Sequence, residues 1–144
     1  EVFTIRNAED GDVDVAVTGI VTDALPAILA ENQFNSPPPA GQQYVLIGFV
    51  ATYHAGTAQQ TLPSLLGALS VSVFGQSGVE LNTYSCEAVV PDRLDAFTEL
   101  LDGGTLSGNE CILTPVADAA GPLLVRVKEA ICFRDCDAVW VKVQ

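Results

Sequence analysis

The chain has 144 residues, a length that fits one domain around one core. Hydrophobic residues make up 49% and charged residues 17%, which leaves ample apolar surface to bury and argues against disorder. Ten Asp and eight Glu against four Arg and two Lys set the net charge at −12, which excludes the basic footprint of a nucleic-acid binder and disfavours anionic lipid surfaces.

Apolar residues alternate with a period of two along most of the chain, the mark of half-buried strands. Val2 to Arg6 reads as an edge strand, turned through Ala8-Glu9-Asp10-Gly11 into Val13, Val15, Val17 and Val21, which alternate with Asp12, Asp14, Ala16 and Thr18. Asp10, Asp12 and Asp14 invite a calcium reading. An EF-hand loop, however, needs Gly where Val15 stands and a carboxylate where Val21 stands. The aspartates are therefore read as the wet face of the strand, and no metal site is assigned.

A short helical turn is expected at Leu25 to Ala30. The long connection from Asp23 to Gln42 contains Pro37-Pro38-Pro39, which favours extended polyproline geometry. Leu25, Ile28, Leu29 and Phe34 are expected to cover the second face of the next strand. That strand, Tyr44 to His54, is apolar on both faces and should be central; it is also far shorter than the ~20 apolar residues that span a bilayer. Leu69, Val71 and Val73 mark another strand, and Gly75 to Gly78 turn into Val79 to Cys86. Leu94, Phe97, Leu100 and Leu101 recur at helical spacing, so a helical turn or two is predicted within Pro91 to Leu101, stopped by Gly103-Gly104. Leu106 to Pro115, Pro122 to Lys128 and Ala138 to Val143 complete the set. The expectation is an all-β, immunoglobulin-like antiparallel sandwich of seven to eight strands with one short helical turn, a single domain over 1–144.

Four cysteines, Cys86, Cys111, Cys132 and Cys136, form an even set without metal-ligand spacing, which points to disulfides and an oxidising compartment. Cys-x3-Cys has no second tight pair for zinc and is one residue too long for a thioredoxin-type site. Cys132 and Cys136 flank a three-residue hairpin tip, so a local bridge is expected there. Cys86 is then left for Cys111.

Any nucleophilic triad would have to pass through His54, the only histidine, which follows the central strand and is read as a surface hydrogen-bonding residue. Gly103-Gly104 and Gly108 lack the helix and lysine of a phosphate loop. No catalytic residue, metal or cofactor is assigned. The last hairpin carries the one binding candidate. Centred on Arg134, it sets Lys128 opposite Trp140 and Arg126 opposite Lys142, and alternation sends all four to one face. Val125, Val127, Val139, Val141 and Val143 then point to the core, and Glu129 falls awkwardly opposite Val139. Internal pairing with a neighbouring Asp or Glu, with Lys128 over the Trp140 ring, is the structural explanation. The functional one is an anionic or aromatic ligand, a wall polymer or an acidic protein segment, held by Arg126 and Lys142 and stacked on Trp140.

Three stretches together resemble a known family: Asn32-Gln-Phe34-Asn-Ser-Pro-Pro-Pro-Ala-Gly41-Gln-Gln-Tyr44-Val, Leu94-Asp-Ala-Phe97-Thr-Glu-Leu100-Leu-Asp-Gly103-Gly104-Thr-Leu-Ser-Gly108-Asn-Glu-Cys111, and Ala138-Val-Trp140-Val. The likeness runs from about Val13 to the end. It is to bacterial, largely Gram-positive, secreted lipoproteins carrying a domain of unknown function, with a sandwich similar to that of the mycobacterial immunoprotective extracellular antigen. The resemblance implies an extracellular or cell-envelope domain without catalytic residues, and a precursor whose signal peptide ends in a lipid-acceptor cysteine upstream of Glu1. The functional expectation is a non-catalytic binding or interaction module with an unidentified protein or cell-wall ligand, no nucleic acid, and membrane contact only through that anchor. A wall-polymer hydrolase using acidic residues and a purely structural spacer are the alternatives.

Overall fold

The computed structural model describes residues 2–7, 11–57, 59–81, 85–130 and 138–143. Alternation decides the first layer. In β2 (Gly11–Val21) the residues Val13 and Val15 are buried while Asp12 and Asp14 lie on the other face. Strand β2 pairs with the edge strand β1 (Val2–Asn7) on one side and with β3 (Gln42–His54) on the other, and β3 pairs in turn with β8 (Thr105–Pro115), all antiparallel. Strand β3 is central, as its two apolar faces require.

The second layer has the order β10 (Ala138–Val143), β9 (Leu123–Glu129), β5 (Leu69–Phe74) and β6 (Glu80–Leu81), again antiparallel. A separate two-stranded pair joins β4 (Thr61–Leu62) to β7 (Leu100–Leu101). The inner faces of the two four-stranded sheets share one core. Val45, Ile47, Phe49, Ala51 and Tyr53 come from β3, and Val73, Leu123, Val125 and Val127 from the facing layer. The molecule is a β-sandwich.

Three short helices join the strands: α1 (Leu25–Glu31), α2 (Leu65–Ala68) and α3 (Val116–Ala119). The described residues thus hold ten strands and three helices, against the seven or eight strands and one helical turn expected. The excess consists of two-residue strands and single-turn helices, too short to show a period. Within the strand expected over Val79 to Cys86, β6 holds Glu80–Leu81, and residues 82–84 lie outside the described part.

The helix expected in Pro91 to Leu101 does not form. Asp92 sits at φ 46°, a left-handed conformation that breaks a helix. The backbone there is engaged elsewhere: Leu94 N–H donates to the Asn109 carbonyl (3.0 Å) and Asn109 N–H to the Asp92 carbonyl (2.8 Å). Arg93 thereby forms a parallel bridge with Asn109 at the open edge of β8. Tertiary pairing overrides the helical spacing of the leucines.

On the outer side of β3, a small second core gathers Tyr44 and Leu46 under Ala24, Ile28, Ala88 and Val90, with Cys86 and Cys111. The cover expected from the long connection is therefore partly present. Ile28 is fully buried, but Leu29 and Phe34 are exposed, and Val50 lies beyond the covered zone. The Asn35 side chain ties the connection down: Nδ2 donates to the Val89 carbonyl (2.7 Å) and Oδ1 accepts the Val89 N–H (2.8 Å). Cys86 and Cys111 form a disulfide with Cα atoms 5.8 Å apart, the expected pairing. Cys132 and Cys136 lie outside the described residues.

Candidate functional site

Strands β5, β9 and β10 present an outer face opposite the shared core. Val71 and Val73 point inward from β5, so Ser72 and Phe74 point outward; Arg126 and Lys128 do so from β9, and Trp140 and Lys142 from β10. The face predicted for Arg126, Lys128, Trp140 and Lys142 is therefore the one they occupy. Their partners are not as predicted. Trp140 pairs with Arg126, Lys142 with Leu124, and Lys128 with Ala138. The offset is two residues, and an even slip keeps every side chain on its face. It also separates the opposed cations Arg126 and Lys142, and it sets Val139 opposite Val127 instead of Glu129.

Arg126, and not Lys128, is the cation over the tryptophan. Its Cζ lies 5.5 Å from a Trp140 ring centroid and 5.2 Å from that of Phe74, and the two rings are 5.5 Å apart at 41°. A guanidinium packed beside two adjoining rings gains cation–π attraction of about 0.5–1 kcal/mol per exposed ring. One terminal nitrogen donates to the Ser72 hydroxyl at 2.9 Å, while the buried Nε–H has no hydrogen-bond partner among the described residues. Trp140 remains 52% exposed and Leu124 41%, so the rings and Leu124 form an apolar platform with the cation set into it. The expected internal carboxylate partner is absent among the described residues, where the one ion pair joins His54 to Asp14. Ser72 and Phe74 escaped sequence reading because nothing local says that β5 lies beside β9.

His54 Nε2 lies 2.9 Å from Asp14 Oδ2, and Thr4 Oγ1 donates to Asp14 Oδ1. The Thr4 hydrogen bond, followed by the bond and charge of His54, holds the Asp14 carboxyl below its ordinary range. The cluster is on the surface, where such pairs contribute little.

Glu110 shifts the other way. The register puts it opposite Ile47, on the inner side of β8, and burial raises its pKa despite the opposing pull of Arg93. The charged form is thus penalised in the folded state. That penalty is absent below the unfolded value near ~4.3 and complete above the raised folded one. Glu110→Gln should accordingly stabilise the domain at pH 7, with the gain vanishing once the pH falls below the ordinary glutamate range, as measured by urea unfolding across pH. A variant less stable at pH 7 than at pH 4, relative to the parent, would contradict this assignment.

No protein-family model matches the chain, and no curated protein matches it in sequence. Three solved structures share its fold. A candidate lipoprotein (ycdA) of Bacillus subtilis superposes with a TM-score of 0.54 at 6% identity, covering 94% of this chain. This chain spans 38% of the length of that structure. A conserved hypothetical protein of Bacillus anthracis gives 0.51 at 10% identity, covering 94% of this chain and 96% of its own. An uncharacterised β-sandwich protein of Clostridium difficile gives 0.52 at 11% identity, covering 99% and 90%. At such identities the likeness is one of fold alone.

Proposed function

We propose that this domain is a non-catalytic, extracytoplasmic binding module that takes an acidic saccharide of the cell envelope on the outer face of β5, β9 and β10. The observation that carries the reading is the Arg126 guanidinium packed beside the adjoining Phe74 and Trp140 rings without a carboxylate partner among the described residues. Flat rings beside a cation suit a sugar ring bearing an anionic group, and Lys128 and Lys142 share the face. Three of the six basic residues in a chain of net charge −12 thus gather around the only tryptophan. The Cys86–Cys111 disulfide supports an oxidising location, and the fold shared with a candidate lipoprotein agrees with a lipid-anchored precursor and an immunoglobulin-like sandwich.

The test compares the parent with Arg126→Ala/Lys142→Ala for binding to an oligogalacturonate by calorimetry. The expected result is at least a tenfold loss of affinity, about 1.4 kcal/mol. Equal affinity in the two proteins would remove this face from consideration.

A further inference from the structure

A cleft lies on the opposite sheet, where the cover over β3 ends. Three irregularities of the chain converge there. Strand β2 skips register between Val17 and Gly19, which leaves Thr18 as an extra residue in a bulge. Gly48 stands beside it in the middle of β3. A Cβ at that position would lie 2.5 Å from Thr18 Oγ1 and 3.4 Å from Asn109 Oδ1. Gly108 lets the edge segment close in, since a Cβ there would meet the Leu94 backbone at 2.6 Å. The same segment holds Asp92 at φ 46°. Together these features leave a cleft of about 480 Å³, within the range of small-molecule sites, lined by Thr18, Gly48, Asp92, Arg93, Ser107 and Asn109.

The polar groups around it are largely unspent. Asn109 Nδ2 donates to the Pro91 carbonyl at 2.9 Å, which orients the amide and leaves Oδ1 as an acceptor near Gly48. Arg93 forms no ion pair among the described residues. The lining therefore offers one planar cationic fork, acceptors in Asn109 and Asp92, and the hydroxyls of Thr18 and Ser107. A single cation suits one carboxylate better than a multiply charged phosphate. The glycine floor gives no aromatic face for a sugar, because Phe49 belongs to the inter-sheet core.

We infer that this cleft binds a small peptidic carboxylate, with the carboxylate on Arg93 and the adjacent N–H groups on Asn109 and Asp92.

The probe is N-acetylalanylalanine, titrated into isotope-labelled protein by NMR alongside its C-terminal amide. Saturable shifts are expected at the Gly48 and Asn109 amides, while the Trp140 indole on the other sheet stays unmoved. The amide analogue and Arg93→Gln should each bind at least tenfold more weakly. Because Arg93 also acts electrostatically on Glu110, Glu110→Gln is the control and should bind like the parent. Absence of saturable shifts, equal binding of acid and amide, or undiminished binding by Arg93→Gln would each overturn the inference. None of these outcomes bears on the Trp140 face.

Discussion

Replacing Cys86 and Cys111 together by alanine should lower the unfolding free energy by about 3.5 kcal/mol and the thermal midpoint by about 10 °C. The disulfide closes a loop with a sequence separation of 25, and the chain-entropy model gives that loss for the freed unfolded state. The native state has a further stake. The bridge links β8 to the segment that lays Ala88 and Val90 over Tyr44 and Leu46. Asn35 and its two hydrogen bonds to Val89 remain in the variant and limit the damage. Urea unfolding of parent and variant decides the matter. A loss below about 1 kcal/mol would mean that the cover holds without its covalent tie.

Gly11→Ala should cost about 3 kcal/mol, close to the disulfide in effect but for a different reason. Gly11 opens β2 at φ 101°, a backbone conformation that L-residues rarely adopt. A Cβ there would stand 2.4 Å from the His54 carbonyl oxygen and 2.8 Å from both Gly56 N and the Tyr53 ring. Two of those three neighbours are backbone, and Tyr53 is only 1% exposed in the shared core. Relief requires moving either the start of β2 or the end of β3. A variant that unfolds within 0.5 kcal/mol of the parent would show that this junction yields cheaply.

The strands were legible where one face is wet and the other dry. Val13 and Val15 against Asp12 and Asp14 specify β2 and its facing, and the doubly apolar run through Tyr44 specifies a central strand. Cys86 and Cys111 could be paired by elimination, once a local bridge was expected between Cys132 and Cys136 across a three-residue tip. Pro91 to Leu101 misled, since leucine spacing records a preference that Asp92 and the edge of β8 override. At the candidate site, alternation gave the correct face for four residues, whereas the hairpin register, set by the turn, came out two residues off. Phe74 and Ser72 required knowledge of which strand lies beside β9, a long-range fact that no local pattern contains. The cleft floored by Gly48 depends on a bulge and was invisible for the same reason.

The acidic-saccharide reading stands or falls on Trp140, which as the only tryptophan makes fluorescence a report on one place. Salt matters, because the net charge of −12 repels any anion at long range. At about 0.15 M salt the screening length is about 8 Å, so the cations of the face act while the distant acids are muted. Titration with trigalacturonate under those conditions should shift Trp140 emission saturably. Its neutral methyl ester should bind at least tenfold more weakly, and Arg126→Ala should abolish the difference between the two. An emission spectrum unmoved by the acid, or moved equally by acid and ester, would contradict the central claim that this face selects an anionic ligand.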